Sequence, residues 1–196
     1  MAILFGDTSN SLSGKQHGGD QTLIGSDPTN TIYGDAGHNL KGSSQGGNDT
    51  IISDGSGNIY GDAGQNISDH AIAGNDALNA QVVFDLAPSN NFDFSAPVDV
   101  TLAGDAGGNI FGHAKGGNDS LTLKFAFGDA FPSVIDSTGD VSLKMFGDAG
   151  GDIFGHASGG NDNMSAGITN SSIVAPPVIL VTREEISRIT RSGVMI

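Results

Sequence analysis

Aspartate beside glycine recurs along this chain, and these carboxylates are the side chains best suited to bind a ligand. Four of them end a GGND motif or its variant AGND: Asp49, Asp76, Asp119 and Asp162. Four more are the second residue of a GDAG motif: Asp35, Asp62, Asp105 and Asp148. We expect Asp7 and Asp20 to be the first members of the GDAG and GGND series. Carboxylates flanked by glycine carbonyls are ligands for hard cations, so the pattern predicts cation sites.

The two motifs belong to an internal repeat of five copies, which begin at Leu4, Ile32, Ile59, Leu102 and Met145. The copy that begins at Ile32 is 27 residues long, and the third and fourth copies are 43 residues long. Apolar residues recur at matching positions, for example Ile32, Leu40 and Ile51. Such self-similarity is typical of a solenoid, in which neighbouring coils bury one another's apolar faces. We predict an all-β parallel β-roll or β-solenoid of about five stacked coils over residues 1–175.

The longer copies carry extra residues in which apolar and polar side chains alternate. Leu121, Leu123 and Phe125 alternate in this way, and so do Val141 and Leu143. Strict alternation is typical of half-buried strands, so the additions are expected to lengthen one side of the solenoid. Their turns are predicted near residues 88–91 and 132–139.

The composition changes after residue 175. Residues 176–196 contain every arginine and both glutamates of the chain. Thr182 and Glu185 have the spacing of a capping box, which predicts a short C-terminal helix over 183–191. This segment could be a cap on the last coil or a secretion-signal tail.

Composition also excludes several classes of function. The net charge is −14, and no basic stripe is present to neutralise phosphates, so nucleic acid is not an expected partner. No apolar stretch has the length of a transmembrane helix, so no membrane insertion is expected. No recurring catalytic triad or nucleotide loop is present, which indicates that the chain is not an enzyme.

Stacked coils would place equivalent aspartates in columns about 4.8 Å apart. Two carboxylates at that spacing repel by roughly 3 kcal/mol at an effective dielectric near 20. A divalent cation between coils would reverse this repulsion at both corners of the solenoid, and Ca²⁺ suits an all-oxygen ligand set best. We expect the glycine pairs, such as Gly46 and Gly116 with their neighbours, to adopt positive φ and aim carbonyls at the ions. Metal-free Asx turns are the alternative, and at the GDAG corner the two interpretations stay open.

At the GGND motifs the sequence resembles a known family. GGNDTI at 46–51, GGNDSL at 116–121 and GGNDNM at 159–164 resemble the haemolysin-type, repeats-in-toxin (RTX) calcium-binding motif. The resemblance implies a parallel β-roll in which successive turns share several Ca²⁺ ions through backbone carbonyls and aspartate. The ligands would then be Asp49, Asp119 and Asp162, with Asp76 and Asp20 in the same role. The turn residues beside them complete the predicted metal sites: Gly47, Gly117, Gly160, Asn48, Asn118 and Asn161.

The RTX resemblance also implies a bacterial protein secreted to the cell exterior or surface by type I secretion machinery. Low cytosolic calcium would leave the chain unfolded, and external calcium would fold it. We expect a structural role through calcium-dependent self-assembly, as a homo-oligomer, filament or surface layer. The chain could instead be the calcium-binding C-terminal module of a larger secreted enzyme, toxin or adhesin. A third column, His70, His113 and His156, is expected to be a structural stack.

Overall fold

The computed structural model describes residues 1–84, 91–93, 97–127, 134–136 and 141–170. Within these ranges the chain forms strands and turns and contains no helix, so the all-β prediction is confirmed for this part. No helix long and apolar enough to cross a membrane occurs in the same ranges. The predicted helix over 183–191 and the boundary between residues 175 and 176 lie outside the described residues.

Twelve strands are described: β1 (Ala2–Phe5), β2 (Thr22–Gly25), β3 (Thr29–Tyr33), β4 (Thr50–Asp54), β5 (Ser56–Tyr60), β6 (Ala77–Phe84), β7 (Asn91–Asp93), β8 (Val98–Ala103), β9 (Ser120–Phe127), β10 (Val134–Asp136), β11 (Val141–Phe146) and β12 (Asn163–Asn170). Ten of them form two five-stranded sheets with the orders β1-β3-β5-β8-β11 and β2-β4-β6-β9-β12, and β7 and β10 form a two-stranded sheet. Every neighbouring pair is parallel. This arrangement is consistent with a parallel β-solenoid.

Strand register confirms the predicted repeat lengths. In the first sheet Ile32 pairs with Ile59, which pairs with Leu102, at the predicted spacings of 27 and 43 residues. Between the strands, isolated parallel bridges join Leu12, Leu40, Ile67, Ile110 and Ile153 in one column. The apolar anchors of the sequence therefore lie directly above one another.

The buried apolar side chains form two separate cores. The first core lies between the two sheets and contains strand residues such as Ile32, Ile51 and Leu78. The second core lies inside the loop between the GDAG and GGND motifs, and Leu40 and Ile67 are among its members. Alternating strand residues point into the first core, whereas the second is built from small alanines and one Leu or Ile per repeat.

The lengthened limbs contain the predicted alternating strands, since Leu121 and Leu123 of β9 are buried and Lys124 is exposed. The prediction of a turn over 132–139 is wrong in part. Residues 134–136 form β10, which pairs in parallel with β7 of the preceding repeat. A short pair of parallel strands therefore lies in a segment for which proline and glycine predicted a turn.

Candidate metal centre

The two aspartate series come together in one place. Asp35 follows β3, and its Oδ2 accepts a hydrogen bond of 3.0 Å from the backbone N–H of Gly47 in the same repeat. An equivalent bond joins four further pairs of residues, each twelve positions apart in the sequence: Asp7–Gly19, Asp62–Gly74, Asp105–Gly117 and Asp148–Gly160. It draws the GDAG and GGND segments together between the two cores, and we call this place the waist. The expectation of two separate acidic corners is therefore wrong.

We name the two series by their motifs. The GD column is Asp7, Asp35, Asp62, Asp105 and Asp148. The ND column is Asp49, Asp76, Asp119 and Asp162. In the ND column each aspartate accepts a bond from the backbone of the preceding repeat: Asp49 N–H donates to Asp76 Oδ1 at 2.7 Å, and Asp76 N–H donates to Asp119 Oδ1 at 2.7 Å. One oxygen of each carboxylate is thereby held in place, and the other points into the waist.

Asp20 does not belong to the ND column, which corrects the sequence prediction. Thr22 pairs with Thr50, so Gln21 takes the position of Asp49, and Gln21 N–H donates to Asp49 Oδ1 at 2.7 Å. Asp20 aligns with Asn48 instead, whose backbone N–H donates to Asp20 Oδ1 at 2.7 Å. The first repeat therefore has GGDQ where the other repeats have GGND or AGND, with no residue inserted or deleted.

The asparagines of the GGND motifs form a hydrogen-bonded ladder on the surface. Asn75 donates its backbone N–H to Asn48 Oδ1, and Asn118 and Asn161 continue the pattern. These side chains are exposed, and their amide oxygens accept hydrogen bonds from the backbone N–H groups of the next repeat. The structure therefore places Asn48, Asn118 and Asn161 outside the waist. Asn39, Asn66 and Asn109 of the GDAG segments make a second ladder of this kind, between repeats and not within one turn.

Seven aspartates of the waist are buried, with exposed fractions between 0% and 6%: Asp35, Asp49, Asp62, Asp76, Asp105, Asp119 and Asp148. The one ion pair of the described ranges joins the Met1 amino group to Asp27, away from this column. Burying an ionised carboxylate is costly unless a charge of opposite sign compensates it. The waist therefore needs protons or cations to be stable.

Unpartnered oxygens recur along the waist. Five buried carboxylate oxygens have no hydrogen-bond partner: Asp35 Oδ1, Asp49 Oδ2, Asp76 Oδ2, Asp105 Oδ2 and Asp119 Oδ2. Buried polar atoms without a partner are rare in folded proteins, and each of them calls for an explanation. Their repetition at equivalent positions fits a ligand set for cations and does not fit an isolated packing defect.

Each unpartnered ND oxygen meets a backbone carbonyl of the next repeat. A Cβ atom on Gly104 would lie within 3.0 Å of both Asp119 Oδ2 and the Gly147 carbonyl oxygen, closer than Cβ atoms approach. Gly34 and Gly61 stand in the same relation to Asp49 and Asp76. We call these places the carbonyl positions. They bring together a carboxylate and a carbonyl, which are the oxygen types that Ca²⁺ takes in proteins.

Close approach, and not backbone conformation, explains the glycines of the waist. Positive φ occurs at Gly42 and Gly112, among others, but at none of the GGND glycines. The expectation of positive φ at Gly46, Gly47 and their equivalents is therefore wrong. A Cβ atom on Gly47 would clash with the Gly19 carbonyl oxygen of the preceding repeat. Only glycine lets the segments pack this tightly at the waist.

Burial raises the pKa of every ND carboxyl. It raises the pKa of Asp119 to about 7, and those of Asp49 and Asp162 to about 6. In the GD column, burial raises the pKa of Asp35 to about 8. For Asp76, Asp62 and Asp105 the pKa lies well above its ordinary value, again chiefly through burial, and neighbouring aspartates add to the effect. Folding without a cation therefore favours protonated carboxyls.

Side chains alone do not make a metal cluster in the part of the chain that is described. No group of three or more His, Cys, Asp or Glu side chains there is arranged to hold an ion. A cation between repeats would have to take backbone carbonyls as well, such as those at the carbonyl positions.

The histidine column is a surface stack. The rings of His70 and His113 lie parallel at 5.0 Å, and His156 follows at 5.0 Å. The stacking thus matches the expected structural role, and Phe5, Tyr33 and Tyr60 form a similar stack.

Comparisons of this chain with protein-family models, with curated proteins and with solved structures find no match. The functional interpretation therefore depends on the residues and geometry of the waist.

Proposed function

We propose that this chain is a secreted, calcium-binding β-solenoid of the RTX type, in which Ca²⁺ ions bind at the waist between successive repeats. The observation that supports it best is the recurrent pairing of an unpartnered ND oxygen with a carbonyl of the next repeat. A calcium ion supplies charge compensation for the buried carboxylates when it binds. The proposed role is structural and not catalytic.

The donor set favours calcium among the common metals. The waist offers carboxylate and carbonyl oxygens, and it contains neither histidine nor cysteine among the residues described. Zinc and copper prefer nitrogen and sulfur ligands, and Mg²⁺ keeps most of its water in strict octahedral geometry. Calcium accepts six to eight oxygens in flexible geometry, which backbone and side chain can supply together.

Each group of the waist has a defined part in this proposal. Asp119 Oδ2 and the Gly147 carbonyl would be ligands from adjacent repeats, so that binding joins those repeats. The backbone N–H of Asp76 holds the other Asp119 oxygen at 2.7 Å and orients the carboxylate. Gly117 N–H does the same for Asp105 at 2.9 Å. Because the site exists only when repeats are stacked, binding free energy becomes folding free energy.

Calcium dependence of this kind suits a bacterial protein exported unfolded by type I secretion machinery. At low calcium the carboxylates of adjacent repeats repel and oppose stacking. At millimolar calcium outside the cell the same carboxylates become ligands and support the stack. We therefore propose that the protein functions outside the cell or on its surface.

A calcium titration followed by far-ultraviolet circular dichroism tests this function. We expect a β-sheet signal to develop cooperatively as calcium is added to the protein in chelator at pH 8. Magnesium at equal ionic strength is the control and should not substitute. A full β-sheet signal in excess chelator, unchanged by calcium, would refute the proposal.

Self-assembly into a filament or surface layer forms the second part of the proposed function. The edge strands β1 and β2 support it, since among the described strands each pairs on one side only and exposes an apolar side chain, Ile3 at 53% and Ile24 at 59%. Exposed strand edges with apolar residues favour pairing with another chain. Sedimentation velocity in calcium and in chelator tests this part, and a strict monomer in both would contradict it. A calcium-binding module of a larger secreted RTX protein remains the alternative.

A further inference from the structure

The third repeat departs from the others at one residue of the waist. The residue in question is the first residue of the GGND motif. It is a glycine in the other four repeats: Gly18, Gly46, Gly116 and Gly159. The third repeat has Ala73 there, and this alanine is 7% exposed. The methyl group of Ala73 belongs to the second core, directly before Gly74 of the waist, and the other repeats have no side chain at this position.

The glycines at this place face carboxylates of the GD column. A Cβ atom on Gly116 would lie within 3.0 Å of both Asp105 Oδ2 and Asp148 Oδ1. A Cβ atom on Gly46 would lie within 3.0 Å of Asp35 Oδ2 and Asp62 Oδ1. Each glycine therefore lets carboxylate oxygens of two successive repeats converge on its Cα, in space that a side chain would otherwise take. We call these places the carboxylate-pair positions, and they are distinct from the carbonyl positions of the ND column.

An unpartnered oxygen faces the glycine at Gly116 and at Gly18, whereas the oxygens that face Gly46 accept the Gly47 and Gly74 N–H groups. Asp105 is fully buried, and its Oδ2, which faces Gly116, has no hydrogen-bond partner. Asp35 is also fully buried, and its unpartnered Oδ1 faces Gly18. Two carboxylates that converge around such an oxygen provide a favourable environment for a divalent cation.

The GD aspartate of the third repeat is different. Asp62 is fully buried like Asp35 and Asp105, but both of its oxygens accept the Gly74 N–H, at 3.0 and 3.1 Å. Its carboxylate has no unpartnered oxygen to offer toward the fourth repeat, where Asp105 follows. The equivalent residue is Ala73, whose methyl group takes the place on which carboxylate oxygens converge at Gly46 and Gly116.

We infer that Ala73 closes the carboxylate-pair position between the third and fourth repeats, so that cations of the GD column bind in two separate groups. The first group spans repeats one to three, and the second begins at repeat four. The break coincides with the change in repeat spacing from 27 to 43 residues. This inference rests on the proposed calcium binding and adds which repeat boundaries carry a GD-column ion.

Counting bound ions by native mass spectrometry at saturating calcium tests the inference. Ala73→Gly opens the closed position, so we expect one more calcium ion per chain than the unmodified protein binds. Gly116→Ala should remove one ion, because its methyl group would push apart the Asp105 and Asp148 carboxylates that converge there. Gly167→Ala is the matched control, since a Cβ atom there would meet nothing within 4 Å, and its ion count should not change.

The outcomes separate this inference from the proposed function. An unchanged ion count in folded Ala73→Gly, with calcium bound to the unmodified chain, would overturn the inference alone. Absence of any bound calcium in the unmodified chain would overturn both. If Ala73→Gly fails to fold, Gly116→Ala decides the question: loss of one ion relative to Gly167→Ala supports the inference, and an equal count overturns it.

Discussion

Replacing Asp119 by asparagine should stabilise the metal-free protein and reduce the stabilisation that calcium provides. The new side chain would keep the bond from Asp76 N–H, now 2.7 Å long, through its amide oxygen. Its amide nitrogen would take the place of the unpartnered Oδ2 and could donate to the Gly147 carbonyl that converges there. The variant therefore removes a buried charge and satisfies a carbonyl, but it also removes a proposed calcium ligand.

The size of the effect follows from the pKa of Asp119. Burial raises this pKa from the ordinary value of 3.8 to about 7. At pH 8 the carboxyl is ionised in both states, and keeping it ionised in the metal-free fold costs about 4 kcal/mol, at about 1.4 kcal/mol per pKa unit. We expect Asp119→Asn to recover up to that amount in chelator. At calcium a hundred times the dissociation constant, the difference in stability between calcium and chelator should be smaller in the variant by about 2.7 kcal/mol for each site abolished.

Urea denaturation at pH 8, in chelator and in calcium, measures both quantities. Asp54→Asn is the matched control, because Asp54 is exposed in β4 and should respond equally in the two conditions. If Asp119→Asn lowers the free energy of unfolding by the same amount with and without calcium, the carboxylate is an ordinary packing residue. That result would refute the reasoning for the ND column.

Three other predictions concern the waist and its supports. In chelator the free energy of unfolding should fall as pH rises from about 4 to 8, because the raised pKa values of Asp35 and Asp119 let the folded state hold protons that the unfolded chain has lost. Urea midpoints measured across this pH range check the prediction. A free energy of unfolding that rises over the range would contradict it. Gly61→Ala should destabilise the protein by about 3 kcal/mol in thermal unfolding, because its Cβ atom would clash with the Gly104 carbonyl, whereas Gly167→Ala should be neutral. Asn30→Ala should lower the free energy of unfolding by about 2–4 kcal/mol, since the buried Asn30 amide donates to the Asp27 and Asp54 carbonyls. Asn58 is exposed, and an equal loss of stability in Asn58→Ala would argue against this account.

The repeat and its register were predictable because apolar side chains mark them. Ile32, Leu40 and Ile51 each recur at the same interval, and a one-residue shift would expose every strand's core face. Parallel stacking then follows, as the pairing of Ile32 with Ile59 confirms. The aspartate columns were predictable by the same argument, because equivalent residues of stacked repeats must align.

The meeting of the two columns at one waist was not predicted, because it depends on the path of the loop that closes the second core. One signal was present in the sequence. The spacing from the GD aspartate to the second glycine is twelve residues in all five repeats, including Asp7 to Gly19. Read in this way, the constant spacing also indicates that Asp20 lies outside the ND column.

Backbone contacts account for the other residues that sequence reasoning missed. Gly34, Gly61 and Gly104 matter because a carboxylate and a carbonyl converge on each of them, a property of packing that no single repeat contains. Gln21 replaces an ND aspartate in the first repeat, and only the strand register of β2 with β4 reveals it. Calcium itself stays a prediction supported by the oxygen-only donor set.

An anomalous difference map from crystals grown in calcium tests the central claim most directly. The account predicts peaks in the waist within about 2.3–2.6 Å of the Asp119 Oδ2 and Gly147 carbonyl oxygens, and at the equivalent oxygens of the other repeats. A well-ordered crystal structure in millimolar calcium with no peak beside any buried aspartate would contradict it.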